Sequence, residues 1–276
     1  MAHPTFAPIT CTDSGGGGEA VVLIHGGGLA DWFTPLAAEP ALRDHRVIRL
    51  VRAGYTGAPA PRGLTVAGHS EQAAALLDHL GTGPAHVVAH SSGCTVALQL
   101  ALDHPDAVRG LTLCEPPLVA PLAAPADREL LRTAFGPVIG TVMAAVARGD
   151  LPAAFDTFMT LVCGPGHRAV MTQALGAGRV ADAVERSGYF FTEEMPAVDA
   201  WTVEPAALAT LRPPVLLVQG GASPDPVHRL IAHLAEMIPG ATVATVPGAN
   251  HLLPLTDPGA LGDLITRFSR ATVRWC

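Results

Sequence analysis

Short apolar runs alternate with longer amphipathic segments along most of the chain. Apolar runs of five or six residues, typical of strands buried on both faces, occur at residues 20–25, 46–51, 86–90, 110–114, 214–219 and 242–246. Between them, apolar residues at i, i+3 and i+4 predict helices over residues 64–80, 92–104, 227–238 and 258–270. Strands that alternate with helices predict an α/β fold, with a mostly parallel sheet covered on both faces.

The strand pattern stops between about Pro116 and Arg212. Helical segments such as residues 128–147 and 169–184 replace it there. We interpret this stretch as a helical cap over residues 118–211, inserted into a core formed by residues 1–117 and 212–276. A cap at this place can cover the carboxyl ends of the strands, where open α/β sheets bind ligands.

A serine stands where a predicted buried strand gives way to a helix. Residues 88–93 are Val-Ala-His-Ser-Ser-Gly. A nucleophile elbow is so tight that the residues two before and two after the nucleophile must be small. Ala89 and Gly93 meet that requirement for Ser91, whereas a motif centred on Ser92 would place His90 where no side chain fits. The alternative is that Ser91 is an ordinary helix-capping serine.

The positions of two further segments predict the base and the oxyanion hole of an acyl-transfer site. His251, in Gly248-Ala-Asn-His, lies between the last predicted strand and the final helix, on the rim expected for Ser91, and is the candidate base. A loop histidine without a catalytic role is the alternative. The His-Gly-Gly-Gly segment at residues 25–28 ends the first apolar run, and its backbone can face a ligand. Gly27, or failing that Gly26, would form the oxyanion hole with the Ser92 N–H.

These three motifs, in this order, resemble the α/β-hydrolase superfamily over nearly the whole chain. Residues 52–57 also resemble its D-x-R-G-x-G-x-S loop, although the aspartate and the serine are missing. The resemblance implies that an acid orients His251. The usual aspartate after residues 215–219 is replaced by Ser223, which leaves two candidates: Glu115, at the end of a predicted strand, and Asp225, for which helix capping is a sufficient alternative explanation.

The segments around the nucleophile and the two acid candidates resemble one group within this superfamily. Ser-Ser-Gly after the elbow histidine, Cys-Glu-Pro-Pro after the next strand, and Gly-Gly-Ala-Ser-Pro without an aspartate are similar to the zearalenone-type lactone hydrolases, which use a strand-end glutamate. The similarity favours Glu115 and implies cleavage of an ester or a lactone. Residues Gly28, Trp201 and Phe191 are the candidates for substrate contacts, with packing an equal explanation for Trp201.

Composition excludes several other functions. The 17 residues counted as Lys+Arg are all arginines, which excludes Schiff-base, pyridoxal-phosphate and Walker-type chemistry. A formal charge of -7 argues against nucleic acid. The five cysteines are scattered, which indicates a reducing compartment, and we find no signal peptide and no apolar stretch of 18 residues. We therefore expect a cytoplasmic protein that binds no membrane. His86 and His90 share a strand face, but no third ligand is apparent, so no metal and no cofactor are expected.

We therefore expect a serine hydrolase that acts on an ester or lactone of a mainly apolar small molecule. Ser91 would attack the carbonyl, His251 would act as base and then as acid, and Glu115 would orient His251. The alternatives are a carbon–carbon bond-cleaving or non-hydrolytic enzyme of the same fold, and a ligand-binding protein built on it. The oligomeric state is left open, with a homodimer one option.

Overall fold

The computed structural model describes residues 9–272, which form a seven-stranded sheet in the order β1-β3-β2-β4-β5-β6-β7. Six strands run parallel, and β1 pairs antiparallel with β3 at the edge. The strands are β1 Thr10–Asp13, β2 Ala20–Ile24, β3 Arg46–Val51, β4 Ala85–His90, β5 Val108–Cys114, β6 Val215–Gly220 and β7 Thr242–Val246.

The six apolar runs of the sequence all form parallel strands, as predicted. The edge strand β1 was missed, because its four residues are mostly exposed and polar and therefore lack the apolar signal. The α/β fold with a mostly parallel sheet is confirmed.

Twelve α-helices lie within the described residues. They are α1 Thr34–Ala37, α2 Val66–His79, α3 Gly93–Asp103, α4 Pro125–Ala147, α5 Leu151–Cys163, α6 His167–Leu175, α7 Ala177–Arg186, α8 Met195–Ala200, α9 Pro205–Leu208, α10 Asp225–Met237, α11 Leu253–Thr256 and α12 Pro258–Thr272. The four helices predicted between the strands correspond to α2, α3, α10 and α12, with ends shifted by up to two residues.

Side chains alternate between two apolar layers, one on each face of the sheet. In β2, Val22 and Ile24 pack in the layer that holds α2, α3 and α10, whereas Val21 and Leu23 pack in the layer that holds α1, α11 and α12. The central strands are buried on both faces for this reason, which explains their continuous apolar sequences.

Between β5 and β6 the chain is helical, from α4 to α9, with a π-helical turn at Phe190–Glu194. The predicted helix at residues 169–184 is in fact two helices, α6 and α7, because Gly176 lies between them with a φ of 87°. The division into a core and a separate cap stays a prediction. Helix α4 alone among the described helices has the length and apolar composition of a membrane span, but it packs against α5 and contributes to the cavity described below.

Candidate active site

The turn between β4 and α3 has the backbone geometry of a nucleophile elbow. Ser91 has a φ of 51°, which a residue with a side chain rarely adopts, and its N–H donates to the Cys114 carbonyl over 3.0 Å. A Cβ atom on Gly93 would lie 2.6 Å from the carbonyl oxygens of Ile24 and His25. The turn therefore requires glycine two residues after Ser91, as the sequence pattern indicated.

His251 lies in the loop after β7, and its side chain borders the same cavity as Ser91. The neighbouring His90 supports it in two ways. The His90 Nε2 atom lies 3.0 Å from the His251 carbonyl, which can only accept, and the two imidazole rings lie 4.6 Å apart. Burial lowers the pKa of His90 well below its usual value, so a neutral ring adjoins His251.

Glu115 lies at the end of β5, where its own φ of 47° turns the chain away from the sheet. Its Oε2 atom is 3.3 Å from His251 Nδ1, and its Oε1 atom accepts from the Gly220 N–H at 2.7 Å and from Ser223 Oγ at 2.8 Å. Burial raises the pKa of Glu115, but the contacts with His251, Gly220 and Ser223 outweigh it and lower that pKa below its usual value. A buried carboxylate thus faces the far nitrogen of His251.

The segments predicted to supply the oxyanion donors lie next to Ser91. A Cβ atom on Gly26 would lie 3.0 Å from Ser91 Cβ, so this glycine lies directly against the nucleophile. Gly27 follows it and lies against the ring of Phe190. Ser92 precedes the first residue of α3, where helix N–H groups point outward and can face an anion.

An apolar cavity of about 210 Å³ opens onto Ser91 and His251. Four of its lining residues are polar: Ser91, Ser92, His251 and Asp199. The others are apolar and come mainly from the helical segment and from the loop after β5: Pro116, Pro117, Leu118, Val119, Phe135, Ile139, Phe158, Leu161, Val162, Phe190, Met195, Val198, Pro224 and Val227. The site can therefore present a serine hydroxyl and an imidazole to the carbonyl of an apolar molecule.

A family model described as "Alpha/beta hydrolase family" matches residues 21–264, which include all of these site residues. The chain belongs to this family. Among solved structures, this α/β hydrolase is similar to an esterase from Thermogutta terrifontis with malate bound (22% identity, TM-score 0.71, covering 98% of this chain and 96% of the other). It is also similar to the enol-lactonase from Burkholderia xenovorans (19% identity, TM-score 0.72, covering 96% of each chain).

Among curated proteins, the α/β hydrolase is 29% identical to the rhodomycin D methylesterase DauP from a Streptomyces species, over 91% of both chains. Two further relatives are matched over a smaller part of their length. The aligned region spans 28% of an acetyltransferase component of the acetoin cleaving system from Cupriavidus necator, and 65% of the magnesium-chelatase 30 kDa subunit from Rhodobacter capsulatus.

The two acid candidates lie in different environments in this α/β hydrolase. Asp225 is exposed at the first position of α10, whereas Glu115 adjoins His251. Ser223, which stands where the family usually has an aspartate, donates to Glu115. The loop after β6 thus still contacts the acid, although it does not supply one. The catalytic role of Glu115 stays a prediction.

The three predicted substrate contacts, Gly28, Trp201 and Phe191, are not among the residues that line this cavity, and their roles stay predictions. The indole N–H of Trp201 donates to Gln99 Oε1 over 2.7 Å, so Trp201 packs in the core beside α3. Phe191 is fully buried, and its neighbour Phe190 lines the cavity instead. The Gly28 N–H donates to the Tyr55 hydroxyl at 3.0 Å, which leaves it engaged within the protein.

Sequence analysis also missed a buried polar cluster beside Ser92. Arg52 and Tyr55 belong to the loop that resembles D-x-R-G-x-G-x-S, so the resemblance drew attention to their segment but not to their contacts. Their partner, Glu194, ends the π-helical turn, and no pattern in the sequence marks it.

The structure gives His86 a partner within the sheet. His86, which shares a strand face with His90, contacts Thr112. Within residues 9–272, no group of three or more His, Cys, Asp or Glu side chains is arranged to hold a metal.

Proposed function

We propose that this α/β hydrolase is a serine hydrolase that cleaves an ester or lactone bond in a mainly apolar small molecule. The observation that carries the proposal is the arrangement around one cavity. Ser91, at a strained elbow, and His251 both border it, and Glu115 lies behind His251 at 3.3 Å. Strained backbone at a non-glycine residue is characteristic of functional sites.

The reaction proceeds through an acyl-enzyme. Ser91 Oγ attacks the carbonyl carbon as His251 Nε2 takes its proton, and the carbonyl π-electron pair moves to the oxygen, which the backbone N–H groups stabilise. The tetrahedral intermediate collapses, and the leaving alcohol receives the proton from His251. Water then attacks the acyl-serine with His251 again as base, which releases the acid and restores Ser91. Glu115 stays charged and stabilises the imidazolium that forms in each half-reaction.

The cavity lining and the relatives both support an ester or lactone substrate. Apart from the four polar residues, the lining is apolar, so the body of the substrate is bound by burial of apolar surface. Similar proteins carry the names methylesterase, esterase and enol-lactonase. The similarity of the Glu115 segment to zearalenone-type hydrolases points to a lactone, and a cavity of about 210 Å³ favours small acyl groups.

The direct test is covalent labelling. A fluorophosphonate should modify Ser91, and peptide mass spectrometry should locate the adduct there. Ser91→Ala should abolish both labelling and turnover of p-nitrophenyl butyrate. Ser70→Ala is a matched control, since Ser70 is a buried serine on α2 outside the cavity.

A folded wild-type protein that neither reacts with the probe nor hydrolyses the ester would contradict the proposal. That outcome would favour a ligand-binding role on the same scaffold. Ester turnover that survives Ser91→Ala would show that hydrolysis does not pass through an acyl-Ser91 and would overturn the assigned nucleophile.

A further inference from the structure

Glu194 lies at the centre of a buried cluster next to the nucleophile elbow. It ends the π-helical turn Phe190–Glu194, and it is 1% exposed. Its Oε1 atom accepts from Ser92 Oγ at 2.6 Å and from Arg52 Nη2 at 2.8 Å, while its Oε2 atom accepts from the Tyr55 hydroxyl. A single carboxylate thus binds three side chains of the α/β core from the helical segment.

Those contacts connect Glu194 to both arms of the predicted oxyanion hole. One arm is the backbone N–H of Ser92, whose own side chain donates to Glu194. The other arm is the glycine segment at residues 26–28, whose last N–H donates to the Tyr55 oxygen at 3.0 Å. Tyr55 in turn donates to Glu194. The two arms come from different loops of the core, and Glu194 is joined to both.

The charges strengthen the hydrogen bonds of this connection. Burial raises the pKa of Glu194, but the Arg52 guanidinium and the hydroxyls of Ser92 and Tyr55 outweigh it and lower that pKa to about 2. Burial also raises the pKa of Tyr55 well above its usual value, so Tyr55 keeps its proton and remains a donor. Charged acceptors make stronger hydrogen bonds than neutral ones, and buried ones are little screened by water.

We propose that Glu194 is a positioning residue that sets the two arms of the oxyanion hole relative to Ser91, through Ser92 on one side and Tyr55 on the other. This inference rests on the proposed function. It assigns a role to the π-helical turn, because the extra residue of such a turn redirects side chains in a way that a regular helix does not. It also means that docking of the helical segment completes the catalytic geometry.

The geometry predicts an effect on the transition state rather than on substrate binding. Loss of a whole oxyanion donor costs about 10²- to 10³-fold in kcat. Ser92→Ala and Tyr55→Phe keep the backbone N–H groups and remove only the hydroxyls that tie them to Glu194. Each should therefore lower kcat by about tenfold, a fraction of the full loss, with KM changed less than about twofold.

The matched control is Tyr189→Phe. Tyr189 packs against Tyr55, but its hydroxyl contacts His69 rather than Glu194. This variant should keep the wild-type kcat. Glu194→Gln tests the carboxylate itself, and because it leaves Arg52 buried without a charged partner, the two hydroxyl variants serve as the test if it does not fold.

The experiment measures kcat and KM for p-nitrophenyl butyrate, with active sites counted by fluorophosphonate, and the inhibition constant of a trifluoromethyl ketone. That ketone forms a tetrahedral adduct whose oxyanion occupies the hole. In the expected result, inhibition by the ketone weakens in parallel with kcat/KM in Ser92→Ala and Tyr55→Phe, while Tyr189→Phe matches wild type. A purely structural role would reduce the number of active sites and leave kcat per site unchanged.

The failure modes are separable. Wild-type protein without turnover or Ser91 labelling would overturn the proposed function. Active wild type, together with Ser92→Ala and Tyr55→Phe variants whose kcat per site stays within about twofold of it, would overturn only the positioning role of Glu194.

Discussion

Two buried glutamates flank the candidate site, and they differ in their counterions. Glu115 and Glu194 are both 1% exposed, and each accepts hydrogen bonds on both oxygens. Glu115 faces a histidine, whose charge can change during a reaction, whereas Glu194 faces Arg52, which is always charged. The first arrangement suits a group that responds to proton transfer. The second suits a fixed scaffold.

The two glutamates also differ in where the chain supplies them. Glu115 ends a central strand of the sheet, so the sheet itself determines its place beside the loop of His251. Glu194 comes from a π-helical turn in the segment between β5 and β6 and reaches the elbow only when that segment packs on the core. We expect substitutions of Glu115 to affect chemistry first, and those of Glu194 to affect stability as well.

Replacing the histidine-facing carboxylate has the largest expected effect. Glu115→Gln should lower kcat by about 10³- to 10⁴-fold, because the amide can donate to His251 Nδ1 and so favours the tautomer whose Nε2 atom carries the proton and cannot act as a base. Steady-state kinetics on a p-nitrophenyl ester measures it.

Asp225→Asn is the control for this change, because Asp225 is exposed at the start of α10 and should tolerate the loss of charge. The opposite ranking of the two variants would refute the assignment of Glu115 and make Asp225 the acid.

Glu194→Gln should reduce the stability of the protein more than Glu115→Gln does, which is the reverse of the order expected for their effects on kcat. Glu194→Gln leaves the buried Arg52 without a counterion, and breaking a buried ion pair costs about 3–5 kcal/mol. Glu115→Gln leaves a histidine that can stay neutral, so its cost should be nearer about 1 kcal/mol, the scale of one altered hydrogen bond. Urea unfolding at pH 7 measures both. Equal losses would show that the two carboxylates do not differ in the way their counterions imply.

The sequence predicts those residues of the site that follow the strands of the sheet. Ser91, His251 and Glu115 all follow the ends of parallel strands, and apolar runs mark those strands clearly. Their convergence on one edge follows from the topology, since the carboxyl ends of parallel strands meet at the same edge. The strand-end position of Glu115 made it one of two candidates for the acid near His251, with Asp225 as the alternative.

The sequence is least informative about the helical segment between β5 and β6. Which of Phe190 and Phe191 faces the cavity depends on the π-helical turn, and a regular helical period cannot indicate it. The contacts of Trp201 depend on how this segment docks against α3. Local patterns carry no information on docking, so the substrate contacts and Glu194 could not be derived from them.

Lower pH should reduce the stability of the protein through His69, which lies beside the Glu194 cluster. His69 adjoins this cluster, and burial followed by the charge of Arg52 lowers the pKa of His69 to about 4 from an ordinary value of about 6.5. Between these values the unfolded chain binds a proton that the native protein does not, so stability falls as pH falls from about 6.5 to 4. His69 should contribute up to about 1.4 kcal/mol per pH unit.

His69→Gln removes this proton uptake, so the unfolding free energy should depend less steeply on pH across that window. His86 and His90, whose pKa values burial also lowers, keep part of the slope in both proteins. Urea unfolding at pH 6.5, 5.5 and 4.5 measures the slope for wild type and variant. Parallel curves would mean that His69 titrates alike in the folded and unfolded chains.

The smallest expected effect concerns the hydrogen bonds that orient the Glu115 carboxylate. Ser223 donates one of the hydrogen bonds that keep the Glu115 carboxylate charged and oriented, while the Gly220 N–H donates another to the same oxygen. Ser223→Ala removes the first and leaves the second, so kcat should fall by about fivefold, which corresponds to about 1 kcal/mol. The pKa of Glu115 should rise, because a bond to its charged form is lost. A loss as large as that of Glu115→Gln would mean that Ser223, at the position where the family usually has an aspartate, is itself essential for holding Glu115 against His251.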